Sequence, residues 1–402
     1  MNIKNILDSA LCCGCGACLS ECKVDAIKMI KNKAGFLTAD LDTNKCVDCG
    51  ICSSVCPSNK NEKFKLDDGM GNFLKAYISF SLKDDFRQSG QSGGTVNTLL
   101  AFLLDQKKVE EAYHVSFNKE TNSFERIITK DSSCLKESSG SCYVQTQTFT
   151  NDIVNDGHKK AGVFLGCQSH ALSLLEERKG TIFDYKIGLV CSGIYSYELM
   201  YKIIKKSKIT PINIRFKDKR FGKWPGNTVL KDSKESVVLD PKYRLNGKYA
   251  YSSLRCKLCF DNYNFNCDLV CGDPWGFEKY QKNEGFNIVI TKTEKGEELL
   301  HEAEKANYLQ LIEIKREDLI NRINIFNKVN ELLDYHKFCL LHNQLEPYKD
   351  CFYVSSFKSS VVDRHIFLKS YDLAMNRNNK KGIKKANLYY WKLNFVDWLK
   401  KR

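Results

Sequence analysis

The sequence has no run that approaches the roughly 18 apolar residues of a membrane span. It also shows no secretory signal, because the first ten residues, MNIKNILDSA, are mixed in character and lead at once into cysteines instead of an apolar segment. These two absences argue against a spanning protein and against export. We therefore expect a cytoplasmic protein, in a compartment that keeps thiols reduced.

Signatures of nucleic-acid binding are missing as well. The 402 residues carry a formal net charge of +14, but no helix-turn-helix, zinc-finger or aromatic RNA-binding motif accompanies that charge. The excess is local, since residues 355–402 contain twelve Lys or Arg and three Asp, a net charge of +9. We expect no nucleic-acid partner and attribute the charge to a basic tail.

Cysteine is the residue that the sequence has in excess, with 19 in all. Many stand in tight C-x2-C clusters, whereas a disulfide scaffold is typical of short secreted domains, so metal ligation is the better explanation. Two quartets share the spacing C-x2-C-x2-C-x3-C. Their members are Cys12, Cys15, Cys18 and Cys22, followed by Cys46, Cys49, Cys52 and Cys56.

In such a run the first three thiolates bind one cubane and the fourth reaches the neighbouring cluster. The spacing therefore predicts a ferredoxin-like module with two [4Fe–4S] clusters. One would be held by Cys12, Cys15, Cys18 and Cys56, and the other by Cys22, Cys46, Cys49 and Cys52. A pair of zinc sites is the alternative, but zinc gives no reason for a crossed spacing that occurs twice.

The residues next to the quartets agree with a cluster fold. Glycines at 14, 16 and 50 let the backbone turn closely around the inorganic sulfides. Lys23 stands where the second quartet is followed by proline, which leaves every ligand in place. Cys13 is expected to lie outside the ligand sets.

The chain divides at the polar stretch 57–70, where the Cys-dense start gives way to alternating strand-like and helical patterns. We predict an α+β protein of three parts: a dicluster ferredoxin-like module (1–62), a larger α/β domain (72–345) and a basic helical tail (346–402). The predicted strands are 73–80, 112–117, 161–165, 186–190 and 286–291. The predicted helices are 95–106, 168–178, 195–206, 294–305 and 318–336, with two more in the tail around 376–382.

A second group of cysteines follows the predicted strands. Cys167 follows the apolar run AGVFL and Cys191 follows KIGLV, each just before a predicted helix. If the two strands are parallel neighbours, both turns open at the carboxyl edge of the sheet, where α/β proteins place their chemistry. The two thiols would then converge.

Three groupings of these later cysteines stay open. Cys167 and Cys191 could join Cys256 and Cys259 around a third [4Fe–4S] cluster. Alternatively, a local zinc or cluster site could use Cys256, Cys259, Cys267 and Cys271. They could also be buried thiols, with Cys167 as a lone nucleophile; His170 is the histidine close to it in sequence, on a helix where it could face solvent.

Two loops of small residues precede structured segments. RQSGQSGGTV, residues 87–96, leads into a predicted helix, and SSGSCY covers 138–143. A loop that feeds a helix N-terminus presents backbone N–H groups that suit a phosphate. A plain surface turn explains the same pattern, and no GxGxxG supports a dinucleotide fold.

The order and spacing of seven segments resemble the beta subunits of coenzyme F420-reducing hydrogenases and dehydrogenases, from about residue 76 to 295. The segments are RQSGQSGGTV, SGSCY, FLGCQSHAL, LVCSGIYS, IRFKDKRFGKW, RCKLC and CGDPWGF. The resemblance implies an α/β flavoprotein domain that holds FAD beside a [4Fe–4S] cluster, with an N-terminal dicluster ferredoxin as a common fusion partner. The group also includes members from glycan-synthesis settings, so the substrate stays open.

The resemblance implies roles for particular residues. The flavin-contacting loop would consist of Ser92, Gly93, Gly94, Thr95 and Val96. The second contact loop would contribute Gly140, Ser141 and Tyr143. The recurrent cysteines of the family match Cys167, Cys191, Cys256 and Cys259, which favours the third-cluster grouping.

This chain departs from the family pattern at two places. It has only Gly166-Cys167-Gln168 where the family usually reads Gly-Thr-Pro-Cys-Gln, so the turn is shorter. It also has Cys142 where a lysine is usual, so the positive charge of that lysine is missing. Cys267 and Cys271 are additional to the pattern.

A flavin beside iron–sulfur clusters converts between hydride and single electrons. We therefore predict an FAD-dependent iron–sulfur oxidoreductase that exchanges electrons with a donor or acceptor protein and with a hydride carrier such as deazaflavin coenzyme F420. Arg255, Asp273 and Lys223 are candidate contacts of substrate or cofactor. The alternative is a non-catalytic subunit that relays electrons to a partner reductase, in a setting such as glycan synthesis.

The tail has an apolar stripe beside several lysines. The stripe consists of Leu388, Trp391, Phe395, Trp398 and Leu399. At helical spacing these residues form one face, which could pack on the protein itself, dock a partner protein or lie on a membrane surface. The last case would place the protein peripherally at the inner face of the membrane.

Overall fold

The computed structural model describes residues 2–59, 64–65, 70–259, 261–323, 352–353, 372–374 and 380–399. Its N-terminal part is a β-hairpin with helical turns, two of which lie inside the cysteine quartets. These elements are α1 (Lys4–Asp8), α2 (Ala17–Ser20), β1 (Ile27–Lys31), β2 (Leu37–Leu41) and α3 (Ile51–Ser54). α2 and α3 begin after the left-handed glycines Gly16 and Gly50, so the chain turns sharply between ligand positions.

The rest of the described chain alternates strands with helices. The strands are β3 (Phe64–Lys65), β4 (Ala76–Ser81), β5 (Glu111–Asn118), β6 (Ser123–Thr129), β7 (Lys160–Phe164), β8 (Tyr185–Leu189), β9 (Asn213–Asp218), β10 (Asn227–Lys231), β11 (Ser236–Leu239), β12 (Leu269–Gly272), β13 (Asn287–Thr291), β14 (Leu309–Ile314) and β15 (Phe352–Tyr353). The helices are α4 (Asp84–Ser89), α5 (Thr95–Asp105), α6 (Gly166–Lys179), α7 (Tyr197–Ser207), α8 (Lys242–Ala250), α9 (Leu254–Lys257), α10 (Glu294–Lys305), α11 (Arg316–Arg322) and α12 (Lys380–Leu399).

The large sheet has eight strands in the order β14-β4-β13-β12-β8-β7-β5-β6. Its centre is parallel, because β12, β8, β7 and β5 run in one direction, and the outer strands pair antiparallel. Apolar residues of α5 and α10 pack on one face, and those of α6 pack on the other. In sheets covered on both faces, ligands bind beyond the carboxyl ends of the parallel strands.

A smaller antiparallel sheet, β11-β10-β9, shares an apolar cluster with α7 and α8. α12 packs on α8, where the Tyr390 hydroxyl donates to the Tyr243 carbonyl oxygen at 3.0 Å. The Tyr251 hydroxyl donates to the Asn387 side-chain oxygen at 2.6 Å. Within the described residues, no helix combines the length and the apolar character needed to cross a membrane.

The structure confirms the α+β class and the small N-terminal module beside a larger α/β domain. Each of the five predicted strands is present with bounds shifted by a few residues, and the helix predicted over 294–305 has those bounds. The helix predicted over 318–336 begins earlier, at Arg316, and ends at Arg322 in the described part; residues 324–336 lie outside it. The predicted tail break falls partly outside the described residues, but α12 continues through Gly382 without interruption.

Candidate functional site

The first predicted ligand set lines one cavity. Its lining includes Cys12, Cys15 and Cys18 from the first quartet and Cys56 from the second. The apolar wall includes Ile3, Ile6, Leu7 and Met29. The four thiols meet here because α2 and the segment after α3 pack together, which is the crossed arrangement that the spacing predicts.

The second predicted set is more open to solvent. Burial raises the pKa of Cys52, and the nearby Cys46 and Cys49 add to the effect. Cys22 accepts a hydrogen bond from the Ala26 backbone N–H at 3.3 Å and packs in the same apolar cluster as Cys52. Cys49 is exposed. The two sets therefore differ in environment. The cluster that holds Cys22 and Cys52 also includes Cys12, Cys18 and Cys56, so the assignment of Cys22 to the second set stays a prediction.

No three His, Cys, Asp or Glu side chains in the described part of the chain are arranged to hold a single metal ion. A cubane bonds each cysteine to a different iron, so its ligands surround a cavity instead of meeting at one point. The cavity lined by the first set has that form.

The ferredoxin-like module docks on the larger domain directly beside this cavity. The Cys15 carbonyl oxygen accepts hydrogen bonds from the backbone N–H groups of Thr148 and Phe149, at 3.0 and 2.9 Å. A Cβ on Gly16 would overlap the Phe149 carbonyl oxygen, so glycine is needed for this docking as well as for the turn. The Arg255 guanidinium donates to the Ser58 hydroxyl at 2.9 Å, which adds a second contact between the two parts.

Cys13 also lines this cavity and lies next to Cys167 of the larger domain. Hydrogen bonds from the Cys15 and Cys167 thiols lower the pKa of Cys13 well below its usual value, against the effect of burial. The same hydrogen bonds raise the pKa of both partners. A thiol of the first predicted set is therefore linked through Cys13 to a thiol at the carboxyl edge of the large sheet.

The structure brings the other predicted cysteines to that same edge. Cys167 follows β7, Cys191 follows β8, and these strands are parallel neighbours as predicted. Cys259 is close enough to Cys167 to influence its pKa. The Cys191 backbone N–H donates to the Asn262 carbonyl oxygen at 2.9 Å, which holds this turn against the segment that carries Cys259.

Cys267 and Cys271 lie apart from this group and from each other. Cys267 packs in the apolar cluster on the α6 face of the sheet, and Cys271 packs in the cluster on the α5 face. Burial raises the pKa of Cys271 to about 12. This placement does not favour a local site that combines both with Cys256 and Cys259. His170 is also buried, so the expectation that it faces solvent is wrong.

Glycine at position 166, the first residue of α6, has a steric reason. A Cβ at Gly166 would overlap the Asp261 carboxylate, which packs against the turn. Burial raises the pKa of Asp261 to about 6, and its Oδ1 has no hydrogen-bond partner among the described residues. The glycine therefore allows an acidic side chain to approach the Cys167 turn.

A polar cleft lies beyond the end of β12, where Asp273 connects the two predicted contact loops. Its carboxylate accepts hydrogen bonds from the Ser92 hydroxyl at 2.6 Å, the Gln91 amide at 2.9 Å and the Lys217 ammonium at 3.0 Å. The Tyr143 hydroxyl donates to the Gln91 side-chain oxygen at 3.3 Å. The loops at 92–96 and 140–143 therefore face one site at the carboxyl edge of the sheet.

The two loops are held differently. Gly94 is left-handed at φ 77° and precedes α5, and a Cβ there would overlap the Phe86 carbonyl oxygen. A Cβ on Gly93 would crowd Ser79 and Asn287, so the small residues of this loop already serve packing within the protein. Gly140, by contrast, is exposed, with Arg215 as the nearest neighbour of an added Cβ, at 3.5 Å.

Strand β9 contributes positively charged side chains to the cleft. Arg215 and Lys217 alternate along this strand, so they point to one face, and Lys219 follows directly after the strand ends. Burial disfavours the Lys217 ammonium, but Tyr143 and Asp273 outweigh this and raise its pKa. Asp273 was expected from the sequence, whereas Lys217 was missed; the alternation in RFKDK was the signal. Cys142, which replaces the usual lysine, packs in the apolar cluster beside α7, and Lys223 is exposed.

Comparison with known proteins agrees with this layout. The profile described as "Coenzyme F420 hydrogenase/dehydrogenase, beta subunit N-term" matches residues 76–150, and the corresponding C-terminus profile matches residues 157–317. A "4Fe-4S dicluster domain" profile matches residues 11–60. These profiles cover both the ferredoxin-like module and the domain that carries the cleft.

Two curated relatives come from Methanocaldococcus jannaschii. The chain is 24% identical over 340 residues to a coenzyme F420-dependent sulfite reductase, covering 78% of this chain and 49% of that protein. It is 26% identical over 226 residues to an F420-dependent formate dehydrogenase subunit beta, covering 55% of this chain and 57% of that subunit. The chain thus spans about half the length of each.

A solved structure shares the fold. A chain of the F420-reducing [NiFe] hydrogenase complex from Methanosarcina barkeri superposes with a TM-score of 0.55 at 13% identity. The match covers 69% of this chain and 97% of the hydrogenase chain.

Proposed function

Because the chain belongs to the coenzyme F420 hydrogenase/dehydrogenase beta subunit family, we propose that it is an iron–sulfur flavoprotein oxidoreductase. It passes electrons between [4Fe–4S] clusters and, through FAD, a hydride carrier such as reduced coenzyme F420. The family and the dicluster domain support electron transfer by an iron–sulfur protein. The proposal adds three parts to this: the flavin, the third cluster and the identity of the hydride carrier.

The link through Cys13 is the observation that carries the proposal. Cys15 belongs to the first predicted cluster and Cys167 to the proposed third, and both contact Cys13. Of the proposed third set, Cys167 and Cys191 follow β7 and β8, next to the end of β12 that bears the Asp273 cleft. Cys259 is near Cys167, and Cys256 packs with Leu165 just before it, which supports the grouping. A continuous path therefore runs from the ferredoxin-like module to the proposed flavin site.

The residues of the cleft fit an anionic flavin nucleotide. Cationic side chains surround Tyr143, and one buried guanidinium nitrogen, Arg244 Nε, has no partner among the described residues. Trp224 and Trp275 pack with ring centroids 4.6 Å apart, and the Trp224 indole N–H donates to the Ser92 hydroxyl at 3.4 Å. FAD, when bound, supplies the conversion between hydride and single electrons. The cleft residues bind and orient it, and no strong acid or base is required.

A relay without its own hydride chemistry is the second candidate. It would use the same clusters to pass electrons to a partner reductase, for example one in glycan synthesis. The sulfite reductase favours a partner, since this chain spans only about half of its length. The domain limits proposed for either function are 1–62, 72–345 and 346–402.

Reduced coenzyme F420 and a one-electron viologen dye test the function directly. We expect the reconstituted chain to reduce the dye at the expense of the deazaflavin. Cys167→Ala removes a proposed ligand and should abolish dye reduction, whereas Cys134→Ala, at an exposed cysteine outside the path, should not. A flavin- and cluster-loaded protein that never oxidises the deazaflavin would favour the relay.

The C-terminal helix offers an outer contact surface. α12 turns Leu388, Trp391 and Phe395 to solvent, beside the exposed Lys384 and Lys392. Its other face already packs on α8. Aromatic and apolar side chains flanked by lysines suit the headgroup region of an anionic bilayer. We place the protein in the cytoplasm, held peripherally at the inner membrane surface by this face.

A further inference from the structure

Arg244 is a buried cation without an anionic partner. It lies on α8 and is 6% exposed, and its Nε has no hydrogen-bond partner among the described residues. Buried polar groups are nearly always hydrogen-bonded, and a buried charge without a counterion is strongly unfavourable. Such a group in a native fold requires an explanation, and a bound anion is one.

The surroundings of Arg244 are polar, aromatic and positive. Its guanidinium hydrogen-bonds the Tyr195 hydroxyl and lies over the Tyr143 ring, 5.6 Å from the centroid. The rings of Tyr143 and Tyr195 stack with centroids 5.8 Å apart. Lys217 is near enough for the two positive charges to repel each other. No carboxylate within the described part of the chain forms an ion pair with Arg244.

Neighbouring cations do have acidic partners. Lys217 pairs with Asp273 at 3.0 Å, and Arg220 pairs with Asp218 at 2.6 Å. Arg215 donates to the Ser89 carbonyl oxygen and lies 3.9 Å from the Asp218 carboxylate. Lys219 also lacks a carboxylate partner, but its ammonium donates to the Arg87 and Ser92 carbonyl oxygens. Arg244, beside Tyr143 of the loop 140–143, lacks a carboxylate partner and also has a nitrogen without a hydrogen bond among the described residues.

We propose that Arg244, with Lys217 and the Tyr143 hydroxyl, binds a phosphate group of the flavin nucleotide. A guanidinium presents paired N–H donors that match phosphate oxygens, and it does so more specifically than an ammonium. The site deepens the proposed function and rests on it, because the flavin supplies the phosphate.

Comparison of three flavins on the full chain tests the site. FAD and FMN carry phosphate and riboflavin does not, so the dissociation constants isolate the phosphate contact. Arg244→Gln should weaken FAD and FMN about tenfold to hundredfold, the range for a charge-assisted contact, and leave riboflavin unchanged. Arg244→Lys keeps the positive charge but lacks the paired donors, so its dissociation constants for FAD and FMN should lie between those of wild type and Arg244→Gln. Arg220→Gln is the matched control, since Arg220 already pairs with Asp218.

The outcomes separate this site from the flavin proposal. The phosphate site is overturned if Arg244→Gln weakens the binding of all three flavins equally or leaves FAD binding unchanged. If Arg244→Gln fails to fold, the ratio of the FAD and riboflavin dissociation constants of Arg244→Lys decides instead. A wild-type chain that binds no flavin overturns the proposed function instead. In that case titration with inorganic pyrophosphate decides the anion site: saturable binding that Arg244→Gln removes supports it, and no binding overturns it.

Discussion

The Cys13 thiol lies next to the Cys167 thiol, so the N-terminal module meets the larger domain at a cysteine of each. Cys13 also lies next to the thiol of Cys15, a proposed ligand of the first cluster. When Cys15 and Cys167 serve as iron ligands, Cys13 lies between them without being a ligand of either cluster. The proposed ligands Cys15 and Cys167 are then separated by the single side chain of Cys13.

Substitution of Cys13 should leave the iron content unchanged. Cys13→Ser keeps the size of the side chain and removes no proposed ligand, so the reconstituted chain should retain all of its iron. Cys18→Ser removes a ligand from the cavity that Cys12, Cys15 and Cys56 also line, and it should lose about four irons, one cubane. Iron and sulfide analysis after anaerobic desalting measures both. Loss of a cluster in Cys13→Ser would show that Cys13 is a ligand.

Alanine substitution at two left-handed glycines distinguishes the cost of backbone strain from the cost of lost docking between the module and the larger domain. Gly16 (φ 89°) and Gly157 (φ 84°) have similar conformations, but a Cβ overlaps the Phe149 carbonyl at Gly16 and meets nothing within 4 Å at Gly157. Gly157→Ala should cost about 1 kcal/mol of unfolding free energy, the left-handed penalty alone. Gly16→Ala should cost at least about 2 kcal/mol more and expose the module to protease. Similar melting temperatures for the two variants would refute the docking role.

His114 makes stability depend on pH. It lies on β5 at 5% exposure, neither ring nitrogen has a partner among the described residues, and burial lowers its pKa to about 4. In the unfolded chain His114 binds a proton near pH 6.5, whereas in the folded chain it binds one only near pH 4. The free energy of unfolding therefore decreases as pH falls from 6.5 towards 4. His114→Leu should remove about 1 kcal/mol of the loss between pH 7.5 and 5.5.

Urea unfolding at the two pH values measures this effect. The exposed His158 is the control, because its hydrogen bond to Glu110 raises its pKa. Its contribution is present at low pH and is lost as pH rises, so His158→Gln should change the pH dependence in the opposite direction. An unchanged pH dependence in His114→Leu would show that the ring is not held neutral.

The outer face of α12 should bind anionic vesicles. Replacing Leu388, Trp391 and Phe395 by serine removes the exposed apolar stripe but leaves the packing face of Tyr390 and Asn387 intact. Wild-type protein should sediment with vesicles containing phosphatidylserine, less so at high salt, and the triple variant should not. As a control, Tyr201→Ser removes an exposed aromatic residue outside α12. Equal sedimentation of wild type and triple variant would indicate that this face meets a protein instead.

The sequence predicted the parts of the site whose spacing is fixed by local chemistry. The quartets identified Cys12, Cys15, Cys18 and Cys56 as one set because cubane ligation imposes its own period, and the structure gathers them around one cavity. The parallel neighbours β7 and β8 followed from apolar runs between turns. Strand β12 was missed because four residues give too short a pattern, so the sequence did not decide among the alternatives given for Cys271.

Contacts between residues that are distant in sequence could not be predicted from local sequence patterns. Cys13 was set aside as a non-ligand, and nothing in its neighbours indicates that it touches Cys167, which is distant in sequence. Arg244 lies in a basic helix where solvent exposure is the ordinary expectation, and only the fold buries it beside Tyr143 and Tyr195. Lys217 could have been found, because its strand alternates cations on one face.

Anaerobic reconstitution of the full chain, followed by counting of iron, sulfide and released flavin, tests the central claim most directly. A path from two ferredoxin clusters through a third to FAD predicts about twelve irons, about twelve sulfides and one FAD per chain. About eight irons and no flavin would contradict it and would leave a ferredoxin-like relay without the proposed flavin chemistry.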